Sequence, residues 1–356
     1  MITPDQLRQR IKAGEPLMDL DLRGVVFTPG DYAGAILMRC DLRGVVAVGN
    51  WRDTQFSQCR LQGSTWDEVS LDQCVFHDCD ATDMRLHATG AVGMTWSQSN
   101  APGLDLSGST LAQCTFTRTC LDRASFAEAS LRDATFAQCA VDQIDFSGCR
   151  QSGGLFYQAD LRSANLSAIQ WDGVACVEVD LSGQRLNDLS LQRCQLTECM
   201  LDDVDFSGAL LTQTGFKGAS MHRVNLTGAR ASRCMFAQAD LSHARAARGR
   251  FDQSIWKHAC VEHVDFRGAD LTQAIFHYAR SAHALFNHAV LTYTDFSYAD
   301  LQHADMRAGR FERTQCHRAL TAHTRWDDRT GILENDPQLF DAERWSAGRS
   351  LTPREG

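Results

Sequence analysis

The sequence predicts an all-β solenoid, and three observations carry that expectation. From Trp51 to Trp326 every fifth residue falls in one register, beginning Trp51, Phe56, Leu61, Trp66, Leu71 and Phe76, and apolar side chains fill it almost throughout. Gln151, Ser281 and Thr321 are the clear exceptions. Such a period matches neither the turn of an α-helix nor the alternation of a flat strand. It fits a chain that turns a corner every five residues and points one side chain inward between corners. The residue two places before the apolar centre is commonly small, as in Ala124, Ala129, Ala134, Ala159, Ala164 and Ala269. Proline, which would delete a ladder hydrogen bond inside a rung, enters the repeat only at Pro29 and Pro102.

Taken in order, the chain divides into residues 1–16 as an N-terminal helical cap, 17–50 as a first repeat block in shifted register, 51–326 as the main repeat, and 327–356 as a C-terminal cap or tail. In the first segment Thr3 is placed as an N-cap, with Pro4 at the first helical position and Gln6 three residues after the cap. Leu7 and Ile11 would then cover the first coil, an edge that needs protection from aggregation. The block Leu17, Leu22, Phe27, Tyr32, Leu37, Leu42, Ala47 obeys the same rule, but its phase is lost by one residue across Val48-Gly49-Asn50. That loss predicts either a tight corner or a kink. Around Pro102 the inward residues shrink to Ala91 and Ala101, which predicts a bulge or small loop. Beyond Trp326, the segment Pro337 to Trp345 predicts a brief helix with Leu339, Phe340 and Trp345 available for docking, either on the last coil or on a second subunit.

Composition excludes several classes. A chain of 356 residues would ordinarily be read as two or more globular domains, but a solenoid grows by stacking. The formal charge of −9 gives no general affinity for nucleic-acid phosphates. No apolar run is long enough to span a membrane, and the opening residues lack a secretory pattern, so cytoplasmic residence is expected. Ten of the 14 cysteines are placed in the alanine slot, among them Cys59, Cys79, Cys114, Cys139, Cys194 and Cys234, and are read as small buried hydrophobes. Neither a disulfide framework nor a metal site is expected. No nucleophile motif or phosphate-binding loop is present, and a convex rod with a packed interior offers no pocket for catalysis. No enzyme activity, cofactor or metal is expected.

Units such as Ala159-Asp160-Leu161-Arg162-Ser163, Ala239-Asp240-Leu241-Ser242-His243 and Ala299-Asp300-Leu301-Gln302-His303 carry an A-(D/N)-L-x-x signature that resembles the pentapeptide repeat family. The resemblance implies a right-handed quadrilateral β-helix with four pentapeptides, and so twenty residues, per coil. About fourteen such coils would make a rod roughly 65 Å long. Sorted by that period, one face reads Phe56, Phe76, Trp96, Phe116, Phe136 and Phe156, and the adjoining one Leu121, Val141, Leu161, Leu181 and Leu201. A large side paired with a small side would fill a narrow interior.

The same period aligns outward residues. His243, His263, His283, His303 and His323 are predicted to form a column on one outer surface, with Arg223 and Asp203 below them. Tyr278 and Tyr298, beneath Arg318, form a second candidate for protein recognition. Residues 51–150 carry 13 acidic and 7 basic side chains, whereas 231–330 carry 11 and 13, with nine of the 12 histidines. The leading functional expectation is therefore a non-enzymatic rigid scaffold or adaptor that binds a protein partner. The opening Thr3-Pro4-Asp5-Gln6-Leu7, leading into Leu20-Asp21-Leu22-Arg23-Gly24, resembles the start of repeat blocks in proteins that accompany bacterial type VI secretion, which implies such an association. The alternative is a DNA mimic that binds and protects DNA gyrase or topoisomerase IV, as quinolone-resistance members of the family do. In those members a C-terminal element joins two rods, so the tail here leaves a homodimer open.

Overall fold

The structure, a computed structural model, describes residues 2–347. The chain winds as a right-handed, four-sided parallel β-helix. In one representative coil Asn225, Arg230, Met235 and Asp240 bridge in parallel to Arg245, Arg250, Ile255 and Cys260, one coil on. Two faces carry extended strands in the earlier part of the rod. A 10-stranded sheet runs from Leu17–Met18 to Gln195–Thr197, with Phe56, Phe76, Trp96, Phe116 and Phe136 pointing inward, and is termed the phenylalanine face. A 6-stranded sheet runs from Gly90–Val92 to Ser190–Gln192. Past Leu210 the coils are held by single bridges on every face until a short pair, Thr314–Gln315 with Ile332–Leu333, closes the last one.

The corners explain the five-residue period. The residue two places after nearly every inward centre has a left-handed backbone, with φ of 58° at Asp53, 55° at Arg223 and 57° at Tyr278. A type II turn demands that conformation at its third residue. Such turns are closed by bonds like Ala239 N to Phe236 O at 3.1 Å. A left-handed non-glycine residue costs roughly 1–2 kcal/mol. Stacking offsets the cost, because the corner N–H donates to the next coil, as His243 N does to Glu262 O at 3.0 Å.

The interior is built around a column of stacked rings. Phe56 stacks on Phe76 at 4.7 Å, Phe76 on Trp96 at 4.0 Å, and Phe236 on Trp256 at 4.1 Å. The expected pairing of a large with a small side is incomplete. A second aromatic column, including Phe126, Phe146 and Phe266, stands opposite and meets the first in edge-to-face contacts such as Phe126–Phe136 at 5.4 Å. The inward slot of the cysteines has an additional duty. Cys234 Sγ donates to Leu211 O at 2.9 Å, the bond that Thr214 Oγ1 makes to Leu191 O at 2.6 Å. All fourteen thiols are free, and burial pushes those of Cys74 and Cys234 up to about 12.

The phase loss at Gly49 is a tight corner. Val26 pairs with Val46, but Asp31 pairs with Asn50 and Ile36 with Gln55, so one coil is a residue shorter while the ladder continues. No bulge forms at Pro102. Asn100 bridges Cys120, Leu104 N closes the turn on Ala101 O at 3.2 Å, and Pro102 O accepts from Asp83 N at 2.9 Å. Proline stands at the second turn position, where its fixed φ fits and no ladder donor is lost.

Helix α1, Pro4–Lys12, lies over the first coil. Thr3 Oγ1 accepts from Gln6 N at 3.3 Å, and Gln6 Oε1 accepts from Thr3 N at 2.9 Å. Leu7 is buried against the core, and Arg8 Nη1 donates to Thr28 Oγ1 at 2.9 Å. Helix α2, Pro337–Ala347, packs along the side of the rod.

Candidate interaction surfaces

The twenty-residue coil brings the five histidines into one ladder at a corner. His243, His263, His283, His303 and His323 stack face to face, with successive ring centroids 4.8 Å apart and interplanar angles of 3° to 16°. Each sits at the left-handed turn position, so a fixed backbone projects every ring outward in the same direction. Arg223, one coil below, is held by Asp203, with Nε–Oδ1 at 2.7 Å. Next to this pair, His222 lies between Asp202 (Nδ1–Oδ1 3.1 Å) and Asp240 (Nε2–Oδ2 3.2 Å), a cluster that its lone position in sequence did not reveal. Among the described residues no group of three or more His, Cys, Asp or Glu converges on a metal position.

Partial burial, and then the neighbouring rings of His243 and His283, hold His263 below its ordinary value, with Glu262 opposing them weakly. The folded rod therefore resists protonation that the unfolded chain accepts. Stability from the neutral ring is present above about pH 6.5 and is lost as pH falls through and below that value. Carboxylates held low by arginine, such as Asp41 and Asp265, lose their contribution only at more acid pH. Thermal melts between about pH 7.5 and pH 5.5 are expected to show a smaller acid loss for His263→Asn than for the parent. Equal slopes would remove the coupling.

The second candidate set is divided by the fold. His258, Tyr278 and Tyr298 stack at 5.1 Å and 4.6 Å along the corner beside the phenylalanine face, with Arg318 next in the column. Tyr278 remains 46% exposed, but α2 covers the upper end. Glu343 accepts from the Tyr298 hydroxyl and pairs with Arg318, and it holds the Tyr298 phenol up at about 12. The Phe340 ring lies under the Arg318 guanidinium at 4.7 Å. His317, 3% exposed, accepts from Asp336 N at Nδ1 (3.1 Å), leaving its proton on Nε2 toward Glu343. Tyr298, Arg318 and Phe340 thus satisfy one another within the chain. Leu339 and Trp345 stay exposed at 45% and 62%.

The family models agree with this architecture. Residues 49–126 match the pentapeptide repeat region, and residues 111–148, 176–213, 216–255 and 282–312 match pentapeptide repeats of eight copies. The chain belongs to the pentapeptide repeat family. No curated protein matches this pentapeptide repeat chain. Among solved structures it is similar to trypsin-treated QnrB1, a plasmid-mediated fluoroquinolone resistance protein, with 21% identity over 56% of this chain and 90% of that one and a TM-score of 0.31. It is also similar to HetL from the cyanobacterium Nostoc sp. strain PCC 7120, involved in heterocyst differentiation regulation, with 21% identity over 69% and 90% and a TM-score of 0.19. Rfr23 from the cyanobacterium Cyanothece 51142 shares 12% identity over 44% and 91%, with a TM-score of 0.21. At identities and TM-scores this low, these likenesses bear on nothing beyond the fold. No helix among the described residues is long and apolar enough to cross a membrane.

Proposed function

We propose that the chain is a non-catalytic, rigid rod that binds a protein partner along the histidine corner. The five-ring ladder is the observation that carries this reading. It is a row of identical recognition groups at one spacing, on a backbone that the coil stack immobilises, so a partner meets them with little ordering cost. The ladder's parallel rings suit a surface contact better than a convergent metal or catalytic centre. The DNA-mimic alternative requires dense unpaired carboxylates along a face. Here Asp21, Asp41, Asp160, Asp265 and Asp305 are each bound by the arginine two residues on, through bonds of 2.6 or 2.7 Å, which neutralises the surface locally. A partner from type VI secretion stays one class among those the test distinguishes.

The test is affinity capture by the intact chain, with identification of retained proteins, beside an Arg223→Glu/His263→Glu/His303→Glu variant. A protein retained by the parent and lost by the variant supports the corner as the contact. Equal retention by both removes it, and retention of gyrase or topoisomerase IV subunits favours the mimic.

A further inference from the structure

A different surface carries an inference of its own. On the outer side of the phenylalanine face none of the ten strands from Leu17–Met18 to Gln195–Thr197 presents Asp, Glu, Lys or Arg, although 22% of the chain is charged. The other strand-bearing face presents Arg132, Arg150 and Asp172 outward. Further along the phenylalanine face the outward pairs become Gly215 and Lys217, Met235 and Ala237, Ile255 and Lys257, and Ile275 and His277. No carboxylate occurs on this outer side from Ile36 until Asp295, where α2 begins to cover it.

Met235, Ile255 and Ile275 bridge one another in register, making an aliphatic stripe with steps of about 4.8 Å. Met235 and Ile275 are 44% and 36% exposed. One edge of the stripe is a ridge of Arg233, Gln253 and Gln273, tied by side-chain hydrogen bonds of 2.9 and 3.1 Å. The other edge is the ridge of Gln238, His258 and Tyr278. The stripe and both ridges contain no Asp or Glu, and their formal charges, at Arg233 and Lys257, are positive.

Helix α2 shows how this face takes a helix. Phe340 meets Arg318, and Glu343, three residues on, pairs with Arg318 as well and reaches down one coil to Tyr298. Three helical residues rise about 4.5 Å, close to the spacing of about 4.8 Å between coils, so a helix laid along the rod keeps step with successive rungs. The same match holds below α2, where aliphatic residues stand in place of Asp295 and Gln315.

We propose that the Met235–Ile255–Ile275 stripe is a docking site for an acidic amphipathic helix of another protein, lying along the rod axis directly below α2. Apolar residues at every third or fourth position of the partner seat on the stripe, and its flanking carboxylates meet Lys257 and Arg233. This surface is separate from the histidine corner, and either can fail without the other.

The probe is a fluorescein-labelled helical peptide with leucine at positions i, i+3/i+4 and i+7 and glutamate at its flanks, titrated against the full chain by anisotropy. Saturable binding is expected, weakened at least about tenfold by Ile255→Glu/Lys257→Glu, unchanged by His263→Glu, and absent for a counterpart with lysine in place of glutamate. Both substitutions lie on the outer side, and circular dichroism checks that the variant keeps its fold. No saturable binding, or equal binding to the double variant, overturns the proposal. So does loss only on Arg318→Ala, which would mean that the peptide had replaced α2. Self-association of the parent that the double variant abolishes also overturns it, by showing a second copy on the stripe.

Discussion

Replacing Trp256 by alanine is expected to destabilise the rod by about 3–5 kcal/mol. The indole is fully buried and lies between Phe236 at 4.1 Å and Phe276 at 5.3 Å. It also meets Phe251 and Phe266 edge-on at 5.6 and 5.4 Å, and donates from Nε1 to Ser254 Oγ at 2.7 Å. The backbone ladders on all four sides keep the coil from collapsing into the space, so most of the cavity penalty stands. A solenoid couples each coil mainly to its neighbours. The loss is therefore expected to concentrate near coils 231–280, and native-state hydrogen exchange there should rise well before that of the earlier coils. Uniform acceleration along the whole chain, or a melting temperature unchanged within error, would contradict this.

Gly49→Ala is expected to release the first coils from the rest of the rod. Gly49 has φ of +95°, and an added Cβ would lie 2.4 Å from Gly30 O and 2.9 Å from Gly30 N. Both atoms belong to the backbone, and Gly30 O already accepts from Asn50 N at 3.0 Å, so neither can give way without breaking the bond that carries the short coil. Gly24→Ala is the control. Its φ is +63° with nothing within 4 Å of the new carbon, so only the left-handed conformational cost of roughly 1–2 kcal/mol applies. Limited proteolysis should cut Gly49→Ala between α1 and Trp51 while sparing Gly24→Ala. Equal resistance of the two would show that the corner absorbs the methyl group.

The histidine ladder was legible because the period is strict: residues twenty apart must stack once four pentapeptides make a coil. The aliphatic stripe obeys the same period at Met235, Ile255 and Ile275. It is not legible in the sequence because apolar residues between inward centres look like ordinary scatter until a face is assembled. Tyr278, Tyr298 and Arg318 were legible as a column but not as a divided one. Which of them stays open depends on Glu343 and Phe340, whose helix could have docked on the end of the rod, on its side or on another chain with the same local sequence.

The sequence by itself determined the coil: the inward centres, the slots before them, the corners and the cysteines read as small buried hydrophobes. Each of these is a local demand repeated every five residues, and a repeated local demand is readable without coordinates. Only the tertiary structure decided that the register loss at Gly49 is a corner, that Pro102 interrupts nothing, and that α2 lies along the phenylalanine face. Those outcomes rest on contacts between residues nineteen to forty-five positions apart, as in Asn50 with Asp31 or Glu343 with Tyr298. There the winning arrangement is set by what the opposing surface offers, and no periodicity records it.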